Sequence, residues 1–388
     1  MRQNHVAIWL DIQAHVAFVA LATKAFLFCW EIALENNGYQ AILVVSFGGP
    51  EKKEDVIPFL ENVLRGKNVP RERMLQVAEH YYEFGGVSPI NEQNRQLIQS
   101  LEAVLQDQGP KLPIYWGNRN WHPLLSDTLR QMKEDGITKC LALVTSAFSS
   151  YSGCRQYRED LARSLEEVGG GLEIHKLRVF YNHPAFVEPL ADETKSRWDS
   201  IPENQKAQSF VLFSAHSIPN AMAENCDYET QLLESCRLVA ERAGVPDNAW
   251  KLVYQSRSGP PTQPWLEPDI CDEIQSLKEN NDASHIVVVP IGFVSDHMEV
   301  LFDLDTEAKE TCEELGIQFL RVPTVGTEPR FVEGLRSLIL ERTENVPREC
   351  LGNRPANHDF CPVNCCLSGR PGAGGAPTVS GADQAPQE

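Results

Sequence analysis

The sequence predicts an α/β protein of two similar halves, each a roughly four-stranded parallel sheet flanked by helices, with the active-site cleft between them. Three observations carry that expectation. Short apolar, β-branched runs recur at 40–46, 112–117, 139–145, 173–180, 209–215, 251–256, 284–291 and 316–322. Runs of this length without polar alternation are strands buried on both faces, as in parallel sheets. Amphipathic stretches separate them at 91–108, 124–134, 155–167, 228–243 and 267–279, and strand alternating with helix implies right-handed βαβ units. Four runs fall on each side of 180–184, giving a first lobe at 39–180 and a second at 181–327, each Rossmann-like.

In chain order, residues 1–38 form an extension of uncertain status. Their apolar tract, 16–30, is interrupted by Lys24 and preceded by Asp11 and His15. It is too short and broken for a spanning helix and lacks the basic start and cleavage site of a signal peptide. It reads as a peripheral helix, or as a non-native extension from a start codon assigned too far upstream. After the two lobes, 328–343 reads as a last helix with Pro329 near its N-terminus. Residues 344–366 are a Cys-rich segment. Residues 367–388, rich in Gly, Ala, Pro and Ser, hold almost nothing to bury and are expected to be a disordered tail.

A formal charge of −19 excludes a nucleic-acid binder and disfavours firm association with anionic membranes. The same charge suits a protein that handles cations, although solubility explains most of it. Outside the tail, the cysteines are scattered without paired spacing, which places the chain in a reducing, cytoplasmic compartment.

Two strand ends carry polar chemistry. The run at 209–215 delivers His216 at its carboxyl edge, and the run at 284–291 leads into PIGFVSDHMEVLFDLD. In open α/β sheets ligands gather at such edges. If 296–309 is α-helical, Glu299, Asp303 and Glu307 follow at i, i+4 and i+8 on one face, with His297 beside them. Like charges at that spacing repel. A solvated face is the plain reading of such a row alone; an acidic relay for protons or hydrated cations is the functional one.

Taken in order, SFGGPE, HYYEFGGVSPIN, SAFSSYSGCRQYRED, FSAHSIP, YQSRSGPPTQPWLEPDI and PIGFVSDHMEVLFDLD make the chain resemble the ferrochelatases from about residue 40 to 342. That family inserts ferrous iron into a porphyrin to make haem. The wording of several motifs resembles most the actinobacterial-type branch, whose substrate is coproporphyrin III; protoporphyrin IX stays open. The resemblance implies that His216 and Glu299 form the catalytic site for the Fe2+ substrate, with Asp303 and Glu307 behind. It places porphyrin contacts at Tyr81, Ser88, Ser152 and Tyr157. Phe47 departs from members that carry Tyr there as an axial ligand, so that role is absent. Apolar walls are expected from Phe47, Phe84, Phe148, Phe293 and Trp265, and propionate partners from Arg65, Arg155 and Arg158. Two other readings remain: a two-lobed haem or metal-chelate binding protein, and a chelatase for another metal such as cobalt.

Cys361, Cys365 and Cys366 crowd CPVNCC in a segment with little else to bury, which points to metal. A [2Fe-2S] cluster needs four ligands, and a zinc site would use the same thiolates. The resemblance implies a [2Fe-2S] cofactor with Cys154 as the remote ligand beside Cys361, Cys365 and Cys366. Cys350 is an alternative to one of the adjacent pair.

Overall fold

The computed structural model describes residues 36–384, apart from 68, 261, 371 and 373. The expectations for the N-terminal extension therefore lie, up to residue 35, outside the described residues. So do those for 385–388.

All eight expected strands form, in two four-stranded sheets that are parallel throughout. The first orders β2-β1-β3-β4, with β1 Ala41–Ser46, β2 Ile114–Asn118, β3 Lys139–Val144 and β4 Glu173–Lys176. The second orders β6-β5-β7-β8, with β5 Ser209–His216, β6 Trp250–Gln255, β7 His285–Val289 and β8 Gln318–Arg321. The second sheet repeats the topology of the first. Every residue of β1 is buried: Ala41, Leu43 and Val45 point to one helical layer, Ile42 and Val44 to the other. This is the two-faced burial expected of a parallel strand. β4 stops at Lys176 rather than at 180, because it pairs only with β3 and its continuation, Leu177, Val179 and Phe180, turns into the core between the sheets.

The helices are α1 Val56–Leu64, α2 Arg71–Glu83, α3 Ile90–Gln108, α4 Leu125–Glu134, α5 Gln156–Glu167, α6 Pro184–Asp199, the short α7 Asn220–Ala223, α8 Tyr228–Ala243, α9 Ile270–Asn281, the composite α10 described below, and α11 Pro329–Thr343. The sequence reading did not delineate α1, α2, α6 or the short α7. Burial explains α6: Pro184 stands at its first turn, His183 caps it by accepting from the Ala185 amide, and Phe186, Val187 and Leu190 face the core. One apolar cluster runs from Ile42 and Val44 through Leu101 and Phe186 to Phe213, Val289 and Phe331. The lobes thus share a core. Smaller clusters cover the outer face of each sheet, and Val56, Phe59, Leu60, Met74 and Ala78 join α1 to α2 as a satellite.

α10 differs from the expected α-helix. Met298–Val300 is α, Leu301–Ala308 is π and Lys309–Glu314 is α again. At 3.6 residues per turn, steps of four drift by about 40° each around an α-helix. The wider π turn, which closes i→i+5, removes much of that drift. Glu299, Asp303 and Glu307 therefore keep to one line.

The tail also differs. Val379, Ser380 and Gly381 are buried; Val379 O accepts from Arg158 Nε at 2.7 Å, and Ser380 Oγ takes the Lys176 amide at 2.5 Å. The amides of Cys361 and Ala382 pair with Ser380 and Cys361 carbonyls. The backbone of this segment finds partners on the first lobe, which composition alone did not reveal.

Arg178 and Glu341 form a bidentate pair at 2.7 Å, both side chains 1% exposed, and Arg178 also reaches the Glu349 carbonyl. This joins the chain crossing between lobes to α11. Removing one partner strands the other charge, so Glu341→Ala should cost about 3–5 kcal/mol, read as a fall in the denaturant midpoint. A loss below about 1 kcal/mol would mean that water reaches the guanidinium.

Candidate active site

The second sheet brings its polar ends together. β5 is flanked by β6 and β7, so the residues leaving these strands meet at one edge. His216 ends β5, Gln255 ends β6, and the chain after β7 folds back across β5. That return depends on Gly292: its amide donates to the Ser214 carbonyl, and a Cβ there would lie 2.8 Å from Ala215 Cα. α10 then begins over the end of β5.

His216 Nε2 lies 3.7 Å from Glu299 Oε2, with side chains 34% and 51% exposed. The other ring nitrogen, Nδ1, lies 2.5 Å from the Ser217 carbonyl. A carbonyl can only accept, so Nδ1 carries a proton, which leaves Nε2 as the ring nitrogen that faces Glu299. Tyr228 donates its hydroxyl to the His216 carbonyl at 3.0 Å and fixes the backbone.

Behind Glu299, Gln255 is a hub absent from the sequence reading. Ser214 Oγ donates to its Oε1 at 2.6 Å, which aims Nε2 at the Glu299 carbonyl (3.3 Å) and Asp303 Oδ2 (3.1 Å). Ser256, in a left-handed conformation, donates its hydroxyl to the same Asp303 oxygen. That backbone at φ 61 was the signal available only in three dimensions. Burial pushes the Asp303 carboxyl up to about 7, the Ser256 hydrogen bond opposes this, and Glu299 and Glu307 add to the rise. Glu307, further out, is also raised by desolvation and by Asp269 and Glu310. The row thus runs from an open carboxylate, through one poised near neutrality, to the surface. Loss of solvent holds His297 below its ordinary value, and its ring packs edge-on against Phe293 at 5.1 Å.

The first lobe supplies the opposite wall. His80 of α2 stacks on Phe302 at 4.0 Å, and Gln93 of α3 donates to the Asp296 carbonyl at 3.0 Å. Tyr81 faces the site: burial, then the Glu299 charge, raises its hydroxyl. Phe47, Tyr81 and Trp121 surround Phe59 edge to face. The other expected ring contacts divide. Ser152 is exposed on the π turn Tyr151–Arg155, 3.4 Å from Ser150. Ser88 is buried against Gly49. Tyr157 lies in the outer core of the first sheet under the Arg119 guanidinium. Phe148 packs among Tyr181, Phe186 and Tyr228. Phe84 and Trp265 are half-buried. Arg65 is exposed and donates to Asn62. Arg155 and Arg158 are not free for propionates: Arg155 holds Glu159 and the Cys365 carbonyl, and Arg158 holds Val379 and Thr378.

A second group forms where the tail meets the first lobe. Cys154 hydrogen-bonds Cys361, Cys361 hydrogen-bonds Cys365, and the Cys365 and Cys366 sulfurs are 3.3 Å apart. His358, which the sequence reading passed over, places a ring nitrogen within 4.8 Å of the Cys361 and Cys365 sulfurs. Cys350 is exposed and lies outside the group. The shared hydrogen bond, then burial, pushes the Cys154 thiol well up, while Lys176 and Arg158 oppose this. Both cations are buried, and Arg158 Nη1 has no hydrogen-bond partner among the described residues. Buried cationic groups beside the Cys154 and Cys361 sulfurs fit an anionic group bound there, as a thiolate cluster is.

Among the described residues no helix is long and apolar enough to cross a membrane. The ferrochelatase family model matches residues 39–343. The ferrochelatase of Rhodopirellula baltica is 56% identical over 87% of this chain and 97% of its own length. The coproporphyrin III ferrochelatase of Streptomyces coelicolor is 48% identical over 90% of this chain and 98% of its own, and that of Leifsonia xyli is 47% identical over 93% and 98%. With the family match spanning both sheets and the facing His216 and Glu299 at their cleft, the chain belongs to the ferrochelatase family.

Proposed function

We propose that the protein inserts Fe2+ into coproporphyrin III, acting in the cytoplasm. The observation that carries the insertion chemistry is His216 Nε2 set 3.7 Å from the Glu299 carboxylate at the mouth of the cleft. The porphyrin identity is supported by the relatives that bear that substrate in their names. The compartment is supported by the scattered cysteines.

Insertion exchanges two pyrrole protons for one Fe2+, so the site must accept protons and deliver a dehydrated ion. His216 Nε2 takes a pyrrole proton directly. Glu299 offers a carboxylate to the ion or to the second proton. Asp303, near 7, can accept and release a proton at neutral pH, between Glu299 and the more exposed Glu307. Tyr81 and the rings around Phe59 offer an apolar wall for the macrocycle.

A [2Fe-2S] group is also part of the proposal, held by Cys154, Cys361, Cys365 and Cys366. When bound it supplies one-electron redox capacity and a covalent link between the mid-chain turn and the tail. Arg158 and Lys176 would balance its charge.

Purified protein given Fe2+ and each porphyrin anaerobically should convert coproporphyrin III faster than protoporphyrin IX, followed in the Soret band; equal rates would remove the substrate assignment. Glu299→Gln and His216→Ala should each retain porphyrin binding while kcat falls at least about 100-fold, the size of a lost acid–base group; near wild-type turnover in either variant would refute the site. The Asp303 carboxylate forms as pH rises through about 7, so insertion should climb across that range, and Asp303→Asn should flatten the climb and raise KM for Fe2+ more than KM for porphyrin. An unchanged profile would return the row to a solvated face. Cys154→Ser should abolish the visible chromophore of the isolated protein as fully as Cys361→Ser, while Cys350→Ser keeps it; the reverse pattern would mean the tail binds metal alone.

A further inference from the structure

We infer that His358 is a fifth donor of the cysteine group, able to hold the metal in the place of Cys366. This rests on the reading that these cysteines bind an iron–sulfur group. A ring nitrogen of His358 and the sulfurs of Cys361 and Cys365 all lie within 4.8 Å of one another. Two ligands on one tetrahedral metal, at about 2.0–2.3 Å from it, are separated by about 3.5–3.8 Å. Any two of these donors can therefore share one iron after a shift of about 1 Å, within side-chain rotation, so the His358 nitrogen can pair with either sulfur.

Cys366 is placed differently. Its sulfur contacts Cys365, its chain neighbour, at 3.3 Å, and its backbone stands at φ 57, where a residue with a Cβ is strained. Side chains of consecutive residues diverge unless the backbone turns tightly, so Cys366 joins the group only through that strain. His358 needs none.

The backbone that carries His358, whose side chain is exposed, is also held from both sides. Arg348 donates to the Asn357 carbonyl at 3.3 Å and pairs with Asp359, whose second oxygen lies 3.7 Å from Arg342. Phe360 packs edge-on against His175 at 4.9 Å and under the Arg342 guanidinium at 5.1 Å. The residues flanking His358 are thus clamped to β4 and α11. Imidazole is an accepted ligand of two-iron clusters, where it replaces thiolate on one iron.

The test uses the full chain and its Cys366→Ala, His358→Ala, double and Cys361→Ala variants, each reconstituted anaerobically with Fe2+ and sulfide. Iron, sulfide and visible absorbance report occupancy, and pulsed EPR of the reduced protein reports nitrogen coordination. His358→Ala should match the wild type. Cys366→Ala should keep its cluster and gain a strong nitrogen hyperfine coupling absent from the wild type. The double variant should lose the cluster as Cys361→Ala does. A Cys366→Ala protein as empty as Cys361→Ala would overturn the inference, as would one that keeps its cluster without nitrogen coupling. If the wild type itself takes no cluster, the iron–sulfur reading fails, and Co2+ added to the same proteins decides His358 separately. Thiolate-to-cobalt absorption in Cys366→Ala that drops in the double variant supports the fifth donor; equal absorption in both rejects it.

Discussion

Strands buried on both faces confine polar chemistry to the places where they end. Inside each sheet the backbone groups are paired along parallel ladders and the side chains of the central strands are mostly apolar on both sides. A charged group within such a strand would lose its hydration without compensation. At the carboxyl edge the constraint lifts. Because β6, β5 and β7 are neighbours, Gln255, His216 and the start of α10 emerge side by side, although they are far apart in the chain. The first sheet obeys the same rule: Ser46, the last residue of β1, receives Asn94 Nδ2 at 2.8 Å and ties α3 to the strand end facing the cleft.

The parts of this arrangement that are local in sequence were legible there. Eight apolar runs predicted eight strands, and each exists, with ends moved by a few residues where an edge strand has one partner instead of two. His216 and Glu299 were legible through motif and placement. The spacing of Glu299, Asp303 and Glu307 was legible too, but the π-helix was not, since nothing in LFDLDTEA distinguishes i→i+5 from i→i+4 bonding. Tyr157, Arg155 and Arg158 have partners that the sequence did not reveal: the tail reaches Arg155 and Arg158, and Val379 shares the apolar cluster of Tyr157. That tail consists of small residues with no hydrophobic periodicity. Its docking rests on hydrogen bonds to backbone, which composition does not encode.

The two sites occupy the ends of one packed segment. His216 leaves β5, Ser217 gives its hydroxyl to the Leu266 carbonyl, α7 follows, and Tyr228 at the start of α8 returns to the His216 carbonyl. On the far side of that loop Gly369 of the tail rests on Ala221, with no room for a Cβ, and the Cys226 thiol feels Cys365 and Cys154. The loop that fixes the His216 backbone is therefore the surface on which the tail lies.

The electrostatics of the tail point the same way as its packing. Hydrogen bonds among the thiols, then burial, hold Cys154, Cys361 and Cys365 above their ordinary range, so in an unloaded group they are neutral beside Lys176 and Arg158. Buried cations beside neutral thiols oppose docking of the segment that buries them. On the proposed reading, loading removes thiol protons, creates an anionic group between these cations and links Cys154 covalently to residues 361–366. Docking and loading then share one free energy, and the tail is held to the lobe by the same charge balance that holds the metal.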